Sequence, residues 1–440
     1  MYGMGRSLPL QQDTLVKLRN SSRRRLYAGR PNTLNYPGAR ARTTPTLVRI
    51  LFLMFVFAFP FESLGFMDNS ASITKLVGFG FFGIYFLCYG SPLASRSLPR
   101  MSMATRYFAV FFVIEMLNGV LWSSASLFEI VASLFQLAQL IVMFWIASDL
   151  LKEEGLAYGA LVAYASGAGL FATGMLLKIP GFVVEGAGRE VALGANPNTI
   201  AINSAIALLI ILGLYLNQQK RFLVIYGLPL IASVVLSGSR GGVLSLIVGC
   251  IIYMVPYRHS KRALSAIVLS ALTLTALVYF VATNSNFLER WEKTYYEGDT
   301  AGRDEIYSVA VDMVLEQPIF GWQPGNWNYE LGRRIGGDYR WMGRDSHNTI
   351  LALLLEVGIV GAVPFVMGLW LCAKSAWAAR KGNLALLPLV LFITMLAGGL
   401  SDTTLRWKTQ WFVQALAFAA GQRLQIRREI PGRRTLEKRN

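Results

Sequence analysis

Histidine is nearly absent from these 440 residues: His259 and His347 are the only two. Cysteine is almost as scarce. Cys88, Cys250 and Cys372 each fall inside an apolar run, with no pair at metal-ligand spacing, so they read as small packing residues rather than a zinc site or a disulfide framework. Charge is thin as well. Only 15% of residues are charged, against roughly a quarter in soluble domains, while 54% are hydrophobic and the mean hydropathy is +0.44. A Walker A sequence, a Rossmann fingerprint and a DxD-like pair are all missing, which argues against an ATP-driven pump or a cytoplasmic nucleotide-sugar enzyme.

What the chain has instead is long apolar runs. A helix needs about 20 apolar residues to cross the hydrocarbon core, fewer where flanking side chains snorkel. By that measure twelve spans are expected, near 48–61, 73–90, 107–122, 127–147, 155–177, 198–216, 222–237, 242–256, 263–283, 348–372, 384–400 and 409–422. The expected fold class is therefore all-α, a polytopic integral membrane protein. The runs are apolar all round, so periodicity does not separate lipid-facing from buried sides. One interval between spans is long and polar: residues 284–346, ending in Asp345-Ser346-His347-Asn348-Thr349 as the chain turns apolar again.

Charge sets the expected orientation. Residues 1–49 carry ten Lys/Arg against Asp13 alone, and residues 423–440 carry seven against Glu429 and Glu437. Two basic ends belong on the cytoplasmic face, which demands an even number of spans. Linkers assigned inside hold 12 Lys/Arg and the short ones outside hold five, which places 284–346 outside. Three domains are expected: a disordered basic cytoplasmic tail (1–45), a transmembrane body (46–422) and a second basic tail (423–440). The +17 charge does not point to nucleic acid, because the excess sits in membrane-flanking tails without aromatic interleaving. Arg23-Arg24-Arg25 suits an orientation signal or a contact with anionic membrane lipids.

Four polar clusters fall on the outer side. The first joins Glu185, Arg189 and Glu190 to Asn196-Pro197-Asn198, where the Asn residues could simply cap a helix. The second, Ser237-Gly238-Ser239-Arg240-Gly241-Gly242, combines a close-approach turn, a helix N-terminus and a guanidinium suited to phosphate; a Gly-rich hairpin with a snorkelling Arg is the plain alternative. The third opens with Thr300-Ala301-Gly302-Arg303-Asp304-Glu305. Ile306, Val309, Ala310, Met313 and Val314 then follow at helical spacing, with Pro318 beyond. Arg303 at that N-terminus opposes the helix dipole, so it is either offset by Asp304 and Glu305 or kept to meet an anion.

The fourth cluster interleaves Arg333, Arg334, Arg340, Arg344, Asp345 and His347 with Trp322, Trp327, Tyr329, Tyr339 and Trp341. Interfacial aromatics usually anchor to the membrane, but their faces also stack on sugar rings. His347 has the pKa range to move a proton at neutral pH, or it could cap the span that begins at Asn348.

These residues carry a resemblance. Ser239-Arg240-Gly241-Gly242, Gly302-Arg303-Asp304, Pro318-Ile319-Phe320-Gly321-Trp322-Gln323-Pro324-Gly325, Ser346-His347-Asn348 and Glu356-Val357-Gly358-Ile359-Val360-Gly361 resemble, in order and spacing, the O-antigen ligase and polymerase superfamily. Asn196-Pro197-Asn198 resembles a segment common there, so the likeness covers roughly 190–365. It implies a GT-C-like, inverting, metal-independent transferase without a cofactor. Such enzymes sit in the bacterial inner membrane and work on its periplasmic face. The implied donor is an undecaprenyl-diphosphate-linked glycan, and the implied acceptor is lipid A–core or a second lipid-linked glycan. The family's base falls on His347 and its diphosphate-binding arginines fall on Arg240 and Arg303. Asp345, Glu185 or Glu356 are the acids available to tune His347. Arg189, Arg344, Trp322, Trp327 and Trp341 are further candidates for glycan contact or support. A transporter or flippase of lipid-linked oligosaccharide is the alternative; Glu115 and Glu129, the few acids within spans, would be its proton relays or merely lie near span ends.

Overall fold

The computed structural model describes residues 44–429 apart from 63–64, 67–70, 91–96, 124, 181, 187–188, 219–220, 258–262, 298–299, 301 and 337–342. The basic segment 1–43, His259, Tyr339, Arg340 and Trp341 lie outside the described residues. The described chain is helical, with two short antiparallel hairpins, β1–β2 (65–66 and 71–72) and β3–β4 (183–186 and 189–192).

Each expected span coincides with a helix. They are α1 (Thr46–Phe57), α2 (Ile73–Gly90), α3 (Met103–Trp122), α4 (Leu127–Leu150), α5 (Glu154–Leu176), α6 (Pro197–Gln218), α7 (Gly227–Leu236), α8 (Arg240–Tyr257) and α9 (Ala263–Thr283). After the long polar interval come α13 (Thr349–Ala378), α14 (Leu387–Gly399) and α15 (Lys408–Glu429). Six of the twelve (α2 to α6 and α13) are long and apolar enough to cross a membrane; α1, α7, α8, α9 and α14 supply shorter apolar helices. The polar interval folds into α10 (Ser285–Glu297), α11 (Arg303–Glu316) and α12 (Trp327–Ile335), of which α11 is the helix that the spacing at 306–314 predicts.

α13 packs along α3 and α15, α15 along α4, and α8 along α14 and α6. Trp411 of α15 is fully buried at their centre, with ring centroids 5.0 Å from Phe108 and 6.2 Å from Phe365. Its indole donates to the Leu405 carbonyl at 2.8 Å and so fixes the turn that precedes α15.

α13 is broken at Gly358, where φ is +59°. The backbone groups freed by that break are taken by the segment 318–322. Trp322 N donates to Leu355 O at 2.5 Å, Ile359 N to Pro318 O at 2.9 Å, and Val360 N to Ile319 O at 3.1 Å. A Cβ on Gly358 would come within 2.3 Å of Ile319 O, and one on Gly321 within 2.6 Å of Leu355 O, so both contact points need glycine. Asn118 and Ser123 of the α3 end donate to Phe320 O and Pro324 O at 2.7 and 3.0 Å. The polar interval is thus fastened to the helix bundle through main chain.

α11 lies on this platform. Ile306, Ala310 and Met313 are buried against Leu331 and Leu355, the face its helical spacing predicted. Trp322 joins that small core, donating to Met313 O at 2.8 Å, with the Arg334 guanidinium 4.8 Å over its ring. These contacts give it a packing role that supports α11. Arg334 bridges Glu316 of α11 to Glu330 of α12 at 2.6 Å each. The Arg333 and Arg334 guanidiniums together hold the Glu330 carboxyl down at about 2. Since that acid titrates near 4.5 when unperturbed, the clamp contributes in full above that pH and is lost as pH falls toward 2. Glu330→Gln is therefore expected to lower hydrogen-exchange protection over 327–335 at pH 7, with wild-type protection constant from pH 7 to 5.

Candidate functional site

Residues 400–407, the turn between α14 and α15, gather residues that the sequence spreads over the second, third and fourth clusters. Arg303 donates from Nη2 to Ser401 O at 2.9 Å. Its first-turn neighbour Asp304 is engaged by the Thr300 hydroxyl, so the acid next in sequence is partnered locally while Arg303 reaches across to the turn. Tyr307, one turn along α11, donates toward Leu400 O and His347 O at 3.3 Å each. The start of α8 packs on the same turn: a Cβ on Gly241 would come within 1.9 Å of Ser401 Oγ, and one on Gly242 within 2.2 Å of Ala201.

This changes the reading of Ser239-Arg240-Gly241-Gly242. The glycines approach protein, not ligand, and the Gly242 N–H is capped by Ser239 Oγ at 3.2 Å. Arg240 takes the first position of α8, beside those glycines. Asn198 Oδ1 accepts from the Ser239 hydroxyl at 2.8 Å, and Asn196 Oδ1 accepts from Asn198 N at 2.9 Å, so the first and second clusters do meet. Arg189 and Glu185 lie in the β3–β4 hairpin, whose pairing brings Glu185 opposite Glu190.

His347 is not the cap of α13. Asn348 is, its side chain accepting from Ile350 N and Leu351 N at 2.9 and 3.2 Å. His347 instead sits at φ +48°, a conformation that favours glycine and costs a non-glycine residue about 1–3 kcal/mol. Asp345 helps hold it there: Oδ1 accepts from His347 N at 3.2 Å and from the Thr403 hydroxyl at 2.5 Å. The imidazole faces Asp402, with Nδ1 3.5 Å from Oδ1, while Thr403 N donates to that same oxygen at 2.8 Å. Asp402 is 2% exposed, and its buried Oδ2 has no hydrogen-bond partner among the described residues. Among the acids weighed beforehand, Asp345 touches the His347 backbone; the one beside the ring is Asp402, which sequence reading left in a featureless linker. Donor atoms of Asp345, His347 and Asp402 lie within 4.8 Å of one another, a spacing at which a cation could be held, although no metal-ligand cluster was legible in the sequence.

Glu356 is engaged elsewhere. It shares Arg406 with Glu115: Nη2 is 2.6 Å from an oxygen of each, and Nη1 donates to Ser133 O at 2.9 Å. Glu115 is thus an ion-pair partner two turns from its helix end. Glu129 closes a capping box with Ser126 at the start of α4, an ordinary helix-start role.

Beside the turn lies a cavity of about 590 Å³, whose walls include Trp327, Arg344, Asp345, Glu356, Asn196 and Arg406. Of the support residues, Trp327, Arg344, Asp345 and Glu356 therefore meet at one cavity, and Trp322 does not. With this geometry in hand, residues 225–366 match the family model Wzy_C, described as O-antigen ligase. That stretch, about a third of the chain, is similar to an O-antigen ligase domain. The matched segment contains Arg240, Arg303 and His347, and also the interlocked 318–325 and 356–361 stretches. It stops short of Asp402 and Arg406, which come from the adjoining turn. No curated protein matches the chain. The match over 225–366 and the apolar helices together support an integral membrane protein of the glycan ligase or polymerase kind.

Proposed function

We propose that this protein transfers a glycan from an undecaprenyl-diphosphate carrier to a lipid-linked acceptor, on the periplasmic face of the bacterial inner membrane. The observation that carries this reading is the convergence of His347 and Arg303, with the Arg240 helix start packed alongside, on the single turn 400–407. In the reaction the acceptor hydroxyl oxygen attacks the anomeric carbon as His347 Nε2 takes its proton. The bond from that carbon to the diphosphate oxygen breaks, and the leaving diphosphate carries the electron pair. Asp402 faces Nδ1, which favours the tautomer with Nε2 unprotonated and stabilises the imidazolium that forms. Arg240 and Arg303 supply fixed positive charge where the diphosphate charge grows. A single displacement without a protein nucleophile inverts the anomeric centre.

No metal is assigned a role. One oxygen of each carboxylate near His347 already has protein donors, Asp345 Oδ1 the His347 N–H and the Thr403 hydroxyl, and Asp402 Oδ1 the Thr403 N–H, and the proposed chemistry runs on His347 and the two arginines. EDTA is accordingly expected to leave turnover of the purified enzyme unchanged. The decisive assay gives full-length protein in lipid nanodiscs an undecaprenyl-diphosphate glycan and an acceptor. Arg240→Lys and Arg303→Ala should each lower transfer by about 10²-fold or more, since Lys keeps charge without the planar fork. Near-normal turnover in both would remove the diphosphate assignment. Ligase and polymerase activities separate by deletion phenotype: long glycan left unattached to lipid A–core for a ligase, loss of long glycan for a polymerase.

The same reading requires both termini in the cytoplasm and 284–346 in the periplasm, on the loop charge asymmetry. A reporter that functions only in the periplasm should be active when fused after Gly325. Activity of a cytoplasm-only reporter there would reverse the orientation.

A further inference from the structure

We infer that the cavity beside turn 400–407 and an apolar groove next to it form one site for the acceptor glycolipid: sugars in the cavity, hydrocarbon chain in the groove. This rests on the transferase reading above and assigns the acceptor a route that reading leaves open. The groove, of about 590 Å³, lies between α1, α2 and α5 and is lined by Leu53, Met54, Phe57, Ile73, Val77 and Ala163, without a polar side chain among its walls. The cavity has a different chemistry. Trp327 and Trp407 offer faces for sugar rings, and Gln136, Asn196, Asn203 and Asn328 offer amide donors and acceptors.

One short stretch of chain divides the two. Phe57, Ala58 and Phe61 line the groove, whereas Phe59, Pro60 and Glu62 line the cavity. A molecule with a polyhydroxyl head and a hydrocarbon tail meets both surfaces by crossing this single partition. Leu53 lies one helical turn below Phe57, so the groove descends along α1 away from the polar end of the bundle, as a chain running into the outer leaflet must.

The charge distribution separates this site from the donor's. The cavity walls hold the carboxylates of Glu62, Asp345 and Glu356 against the guanidiniums of Arg344 and Arg406. Arg406 is committed to Glu115 and Glu356, and Glu62 is paired with Lys408. Such a lining suits uncharged sugars better than a diphosphate. Arg240 and Arg303 are not among the cavity walls, and α6 and α7 pack between α5, which lines the groove, and the arginine-bearing α8. Asp345 and Thr403, which do line the cavity, touch each other and flank His347 and Asp402. His347 is not itself a wall of the cavity, so a hydroxyl delivered from it reaches the imidazole past Asp345 and Thr403.

The test uses the full-length protein in phosphatidylethanolamine/phosphatidylglycerol nanodiscs, with p-benzoylphenylalanine in place of Phe57. Two probes are doped in separately at low mole fraction: rough-type lipopolysaccharide and an undecaprenyl-diphosphate-linked oligosaccharide. The lining's poor fit to a diphosphate commits the site to an acceptor on an acylated lipid: photo-crosslinking to the lipopolysaccharide, enriched well beyond its mole fraction and lost on adding Ala195→Trp to block the cavity, supports it, whereas enrichment of the undecaprenyl-diphosphate probe, the donor's own carrier, would overturn it. Crosslinks to phospholipid in proportion to bulk composition, an annular lipid only, would overturn it. This readout does not depend on turnover, so it stands even if transfer itself is not found. Where transfer is measurable, Ala163→Phe and Val77→Trp should each lower kcat/KM for the lipid-borne acceptor by about tenfold or more, by excluding buried methylenes, and should leave a tail-less glycan acceptor unaffected. Equal losses with both acceptors, or none with either, would sink the groove assignment while leaving the transferase reading intact.

Discussion

His347→Ala is expected to lower glycan transfer by about 10²–10⁴-fold, the usual contribution of a general base, while the protein still inserts and remains monodisperse. The expectation of an intact fold comes from the cap geometry. Asn348, not His347, satisfies the first amides of α13, and the His347 side chain is 23% exposed, so removing it opens no core. Relief of its positive φ is not available to Ala either, so stability should change little. Asp402→Asn should give a smaller loss with an altered pH–rate profile, because the ring would lose the carboxylate that selects its tautomer. Asp402 acts through His347, so in the His347→Ala background the second substitution should cost almost nothing further. His259→Ala, in the Arg258-His259-Ser260 segment on the opposite side by the loop charges, is the control and should be silent. A monodisperse His347→Ala enzyme with undiminished transfer would leave only electrostatic stabilisation by the arginines, or a different function altogether.

Much of this site was legible before folding because its residues are improbable in their surroundings. A histidine, two arginines and two glycine-rich segments stand out against long apolar runs, and their order along the chain carries the family likeness. The helices were legible for the same reason: hydrocarbon thickness fixes a length, and α2 to α6 and α13 meet it. What the sequence hid are relations across distance. Gly358 and Gly321 read as separate motifs, yet each is glycine because the other segment's backbone lies against it. Gly241 reads as ligand-facing, yet it is small to admit Ser401. Glu356 looked close to His347 in sequence, but the nine-residue step from one to the other spans about two and a half helical turns and carries its carboxylate to Arg406. Asp402 and Arg406 lie in a turn of eight residues with no motif of its own. The one available signal was their charge: between two apolar helices, an ionisable side chain near membrane depth needs a partner or a task.

Arg406→Met should destabilise the protein by about 3–5 kcal/mol, the largest stability effect expected of any single substitution here. Removing the guanidinium leaves Glu115, with its side chain fully buried, and Glu356, 5% exposed, facing each other without a cation. Methionine matches the stem but supplies no donor, and the Ser133 carbonyl loses its partner too. The penalty arises from the stranded carboxylates rather than from the worth of the ion pairs, and that distinction can be measured. Glu115→Gln combined with Glu356→Gln in the Arg406→Met background should recover most of the stability, since amides can be buried at far lower cost than uncompensated charge. Thermal unfolding in detergent, followed by size-exclusion recovery, reads both steps. A melting temperature for Arg406→Met within about 2 °C of wild type would show that the triad is hydrated and energetically idle. The functional consequence runs through the turn. Arg406 and the Trp411 bond to Leu405 O fix one end of residues 400–407, while Ser401 and Asp402 at the other end meet Arg303 and His347. The triple variant, refolded but without that anchor, should therefore regain stability ahead of activity, with the deficit in kcat rather than in KM.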